Sequence, residues 1–169
     1  IIIGLIIYSA IQAYYSIAGN FESKSSYHPH TKPVILGILI CIFIEIIIGT
    51  EIRGGLDMSR KENPLIEGVI LLKMLGPFKY IHTILGLSLL GLTVYLWKII
   101  NDNKFISSSF MVNSVNFIMG LIITQIILGE ALVFLEVKPL MQLFHMWFSS
   151  ILVGLSVATY TFHRISVQQ

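Results

Sequence analysis

Long apolar stretches alternate with short polar ones along this chain. Five stand out: Ile1 to about Ile17, Pro33 to about Thr50, Phe78 to about Ile100, Phe110 to about Phe134, and Leu140 to about Phe162. The last four are close to the ~20 residues that cross ~30 Å of hydrocarbon. A bilayer core offers no water to backbone amides, so only helices or closed barrels cross it. Continuous apolar runs, rather than alternating ones, predict helices. The pattern therefore predicts an all-α, polytopic membrane helix bundle. It comprises a four-helix unit over 33–163, with spans near 33–50, 78–100, 110–134 and 140–162. The end of a preceding span (1–17) and a polar loop (18–32) come before it.

The connection from Glu51 to Pro77 holds most of the charge. Within it, Pro64–Gly76 is apolar yet too short to span, and it carries Glu67 and Lys73. An interfacial helix lying on the bilayer surface is expected there, or else a loop segment packed on the bundle. The first residue is Ile1, inside an apolar run with no basic region or small-residue cleavage site before it. That start reads as a cut through a membrane helix of a longer protein.

Composition narrows the class. Charged residues are 12% of the 169, hydrophobic residues 55%, and the mean hydropathy is +0.83. A soluble domain carries about 25% charged residues, so too few ionic groups exist here to cover a water-facing surface. Disordered chains are polar and are excluded on the same ground. A net charge of +2 with no basic stripe argues against nucleic acid as a partner. The single cysteine, Cys41, lies inside an apolar run and builds neither a disulfide framework nor a cysteine-pair metal site.

The spans contain a repeat. One outgoing helix ends Glu45-Ile46-Ile47-Ile48-Gly49, and another ends Gln125-Ile126-Ile127-Leu128-Gly129. Each is followed by a returning helix with a histidine near its start: Phe78-Lys79-Tyr80-Ile81-His82, and Met141-Gln142-Leu143-Phe144-His145. Parity puts both histidines on one side of the membrane, roughly 6–9 Å deep at 1.5 Å per residue. Lysines and arginines fall on both sides, so the charge rule does not orient the chain.

Two imidazoles at matched depth on two helices of one bundle can face a common centre, and bundle cores hold cofactors in this way. An iron porphyrin between His82 and His145 would be six-coordinate. Gly86 and Ser149, each at i+4 from a histidine, would leave room beside a flat ring. Arg53 and Lys79 sit at the same membrane edge and could pair with its propionates. Two ligands are too few for a zinc site. Of the other ionisable groups, Glu45 is expected to be neutral or paired with a neighbouring helix, because an isolated charge in an apolar run is costly. His28 and His30 read as solvated loop residues. Met141 and Met146 flank His145 as weaker candidate ligands than His82. Tyr80, Trp97, Trp147 and Tyr160 suit interfacial belts.

At these residues the sequence resembles the haem A synthase family, whose members have eight membrane helices in two similar four-helix halves. Glu45 to Arg53 resembles the fifth helix and its exit, Phe78 to Leu92 the sixth, Thr124 to Gly129 the seventh and Pro139 to Gly154 the eighth. The resemblance covers Pro33 to Phe162 and marks the C-terminal half. It departs at Glu45, where the family usually has Gln, and at Glu130, where a small residue is usual. The resemblance implies oxidation of a ring methyl of haem O to the formyl of haem A for terminal oxidase assembly. It implies that this half holds haem b between His82 and His145, as iron ligands, and that substrate binds in the N-terminal half. The partners expected are the lipid bilayer, haem O, an electron donor of unspecified kind, and either a second copy or an oxidase-assembly protein. Family topology implies a multi-pass protein of a bacterial plasma membrane. Two other readings of the same residues are a b-type membrane cytochrome that passes electrons without catalysis, and a haem-free bundle that binds a partner.

Overall fold

The computed structural model describes residues 8–11, 26–63, 65–66, 70, 73, 76–102, 105, 107–135 and 138–168. Four helices dominate: α1 (Thr31–Glu62), α2 (Phe78–Ile100), α3 (Ser109–Phe134) and α4 (Pro139–Gln168). All four are long and apolar enough to cross a membrane. Each starts where local chemistry allows. Pro33 and Pro139 fall in first turns, where a missing N–H is harmless. Ser108 caps α3 by accepting a hydrogen bond from the Met111 amide at 3.2 Å. Gly76, at φ 67°, turns the chain into α2 through a left-handed conformation that other residues resist.

The helices run up-down-up-down as a closed ring: α1 on α2, α2 on α3, α3 on α4, and α4 back on α1. Thus α2 and α4 face each other across the diagonal. Helix α1 outruns its expected end near Thr50 and continues to Glu62. Its 32 residues are about 48 Å long at 1.5 Å each. That exceeds the hydrocarbon thickness, so the turns bearing Glu51, Arg53, Asp57 and Arg60 belong at or beyond the membrane edge. Most of the Pro64–Gly76 stretch, and most of the Ile1–Ile17 span, lie outside the described residues. Of the latter, Tyr8–Ile11 is helical, and Arg164 on α4 donates to the Tyr8 hydroxyl at 3.0 Å.

Burial is strongly one-sided along the bundle axis. The apolar core is Ile35, Ile38 and Ile42 of α1, Leu89, Leu96, Ile99 and Ile100 of α2, Met111, Val115, Ile118 and Ile122 of α3, and Leu152 and Phe162 of α4. All lie toward the end where α1 begins and α4 finishes. Two buried threonines in this region bond within their own helices, Thr93 to the Leu89 carbonyl and Thr159 to that of Leu155. Tyr27 ties the preceding loop in, with its ring 4.9 Å from that of the buried His163. At the opposite end the described residues of 43–55, 76–88, 123–135 and 138–151 include none that is buried.

Candidate functional site

The loosely packed end is the histidine end. It is formed by the C-terminal halves of α1 and α3 and the N-terminal halves of α2 and α4. His82 and His145 point toward one another across the diagonal. Their ring centroids are 6.5 Å apart, and the ring planes are inclined by 59°.

Each histidine is seated by the outgoing helix of its own hairpin. A Cβ placed on Gly49 would stand 3.5 Å from His82 Cε1, and one on Gly129 would stand 3.8 Å from His145 Cε1. The glycines of the repeat therefore make room for the imidazole edges. The residue one turn earlier supplies the polar contact. On α1, Glu45 Oε2 touches His82 Nδ1. On α3, Gln125 Nε2 donates to the His145 carbonyl at 2.8 Å and to Ser149 Oγ at 2.9 Å. Ser149 in turn donates to the His145 carbonyl. The two hairpins thus build matching sites with one chemical difference, a carboxylate in one and an amide in the other.

Gly86 and Ser149 have neighbours that the sequence did not predict. Gly86 faces Glu45, whose Oε1 would be 3.5 Å from an added Cβ, and Ser149 is bonded by Gln125. These small residues admit the polar side chains of α1 and α3, and that is the room they make in the structure. Arg53 is exposed, close to Asp57 of its own helix at 3.9 Å, and its guanidinium crosses to Met146 Sδ, next to His145. Lys79 is near the start of α2 with its ammonium 4.8 Å from the centre of the Tyr80 ring. Both cations stand at the histidine end, as their spacing predicted. Glu51 and Glu130 are exposed there.

The remaining histidines are at the other end. His30 is exposed and hydrogen-bonded through Nδ1 to the Tyr95 hydroxyl at 2.9 Å. His28 is half-buried and packs edge-on against Phe105. His163 is buried, at 5% exposure, and its position in an apolar helix did not single it out in the sequence. A cavity of about 440 Å³, lined by Lys32, Tyr160, His163, Arg164 and Val167, is also at that end, far from His82.

The geometry can be compared with what two axial imidazoles require. At about 2.0–2.1 Å per metal–nitrogen bond, and about 1.1 Å from nitrogen to ring centre, two such ligands hold their centroids roughly 6.3 Å apart. The observed 6.5 Å agrees. His145 Nδ1 is buried with no hydrogen-bond partner among the described residues, so this ring is not explained as a satisfied structural histidine. The stretches 43–55, 76–88, 123–135 and 138–151 that surround both rings include no buried residue among those described. On these three observations the residues fit an iron porphyrin.

The comparisons with known proteins agree with the fold and the motifs. No curated protein and no solved structure matches the chain. The family model described as cytochrome oxidase assembly protein (COX15-CtaA) matches residues 1–157. Those residues include both copies of the repeat motif and both histidines, so this multi-pass helical membrane protein belongs to the cytochrome oxidase assembly family, the one its repeat resembles as haem A synthase.

Proposed function

We propose that this chain is the cofactor-holding half of a haem A synthase, in which haem O is oxidised to haem A for a terminal oxidase of a bacterial plasma membrane. The observation that carries the reading is the 6.5 Å separation of His82 and His145 on diagonal helices. In this reading His82, through the nitrogen that Glu45 leaves free, and His145 would hold haem b between them. Such a group supplies one-electron transfer when bound. The chain's own residues do the rest. Gly49 and Gly129 seat the two rings, and Glu45 fixes which nitrogen of His82 faces the bundle axis. Arg53 and Lys79 present cations to propionates at the membrane edge. The apolar flanks of the four helices exclude water.

The test is the reduced-minus-oxidised visible spectrum of the detergent-purified chain, beside His82→Ala and His145→Ala. A sharp low-spin b-type spectrum in the parent, lost or converted to high-spin in both variants, is the expected result. A well-folded chain that takes up no haem when haem is supplied during expression would count against it. Conversion of haem O by the full-length protein, absent in the same variants, distinguishes the synthase from a cytochrome that only passes electrons.

A further inference from the structure

The two halves of the site are alike in backbone but unlike in charge. Positions 45 and 125 are equivalent in the repeat, as are 82 and 145. Glu45 places a carboxylate oxygen on His82 Nδ1. Gln125 instead spends its amide N–H groups on the His145 carbonyl and on Ser149, and among the described residues no carboxylate meets the buried Nδ1 of His145. Glu45 is itself enclosed, with its side chain 12% exposed and Gly86 close beside it.

We propose that Glu45 is a positioning residue that accepts the Nδ1–H of His82, thereby presenting Nε2 as the ligand nitrogen and lowering the reduction potential of the iron bound there. This inference rests on the reading of His82 and His145 as haem ligands.

The physical argument has two parts. An imidazole whose one nitrogen donates to a carboxylate must bind metal through the other, so the tautomer and the ring orientation are both set. A charged acceptor also draws the Nδ1 proton more strongly than an amide does, which raises the basicity of Nε2. A more basic ligand and a nearby negative charge both favour ferric over ferrous iron. The potential falls, and it falls through His82 alone. The site is thereby asymmetric: His82 is the electron-rich ligand, and His145 the weaker one.

Two measurements test this. The first uses the haem-free chain in detergent with nitrogen-15-labelled histidine. His82 is expected as the Nδ1–H tautomer in the parent and in Glu45→Gln, and as a mixture in Glu45→Ala. The second is a redox titration of the haem-loaded chain. Glu45→Gln, which keeps an acceptor but removes the charge, is expected to retain a low-spin spectrum and shift the ferric–ferrous equilibrium about tenfold toward ferrous, which is about 59 mV for one electron. Gln125→Glu, a charge added at the equivalent position, is expected to shift it the opposite way. An unchanged tautomer in Glu45→Ala together with an unchanged potential in Glu45→Gln would overturn the proposal. Retention of the parent spectrum in both His82→Ala and His145→Ala would instead remove the ligand reading and the potential with it, while the tautomer measurement still decides what Glu45 does to His82.

Discussion

Gly49 lies against the Cε1 edge of His82, with 3.5 Å between that carbon and the place a Cβ would occupy. The distance is an ordinary van der Waals contact, so one methyl fits and a longer side chain does not. Gly49→Ala is expected to keep the low-spin spectrum, and Gly49→Leu to push the ring aside and give a high-spin or haem-free chain. Gly129→Leu is expected to do the same to His145, where the equivalent distance is 3.8 Å. Visible spectra of the three variants check this.

Gly86 and Ser149 are also equivalent, each one turn beyond a histidine. Gly86→Ala is expected to be tolerated, because the added Cβ meets the end of Glu45 at ordinary contact distance. Gly86→Leu should displace Glu45 from His82. The potential of Gly86→Leu would then move in the same direction as that of Glu45→Gln, and a redox titration of the two side by side shows whether it does.

Arg53 and Lys79 differ as anion partners. Arg53 offers a planar fork and already reaches across to α4, while Lys79 is a point charge lying over Tyr80. A hydrogen bond to a charged group is worth about 1.5–3 kcal/mol. Arg53→Ala is therefore expected to speed haem loss by roughly 10- to 100-fold, and Lys79→Ala by less. Transfer of haem to an excess of a haem-scavenging apoprotein, followed over time, measures both.

Stability should divide along the bundle axis. Leu96 is fully enclosed, at 0% exposure, among residues from the other helices of the ring. Leu96→Ala is expected to cost about 2–5 kcal/mol, the usual range for a leucine truncated in a packed core. Ile47, at 61% exposure on the histidine half of α1, has little protein to lose contact with. Ile47→Ala should cost well under half as much. Detergent-induced unfolding of the two variants, followed by circular dichroism, checks the ratio.

Much of this arrangement is legible in the sequence. The apolar runs locate the starts of all four helices to within two residues, because the bilayer imposes length and composition together. Parity and the repeat brought His82 and His145 to one end. Charge begins at Glu51 and makes the tail of α1 look like a connection in the sequence, yet beyond the bilayer a helix is free to be polar, and this one continues to Glu62. Gly86 and Ser149 were recognised as small positions on the histidine faces, but spacing within a helix says nothing about which side chain arrives from the next one. Glu45 and Gln125 arrive, and only the packing of α1 on α2 and of α3 on α4 brings them there. His163 carried no signal for the same reason: its partner, Tyr27, comes from a distant loop.

The one-ended core makes the bundle a set of levers. His82 is 14 residues from Leu96, or about 21 Å along α2. A tilt of roughly 3° pivoted in the packed end would carry the ring about 1 Å, twice the ~0.5 Å tolerance expected of a functional constellation. The spacing of the two imidazoles is therefore governed by side chains such as Leu96, Val115 and Phe162 that touch neither of them. Drift at those remote positions would change the separation of the two rings while leaving every residue around them unchanged.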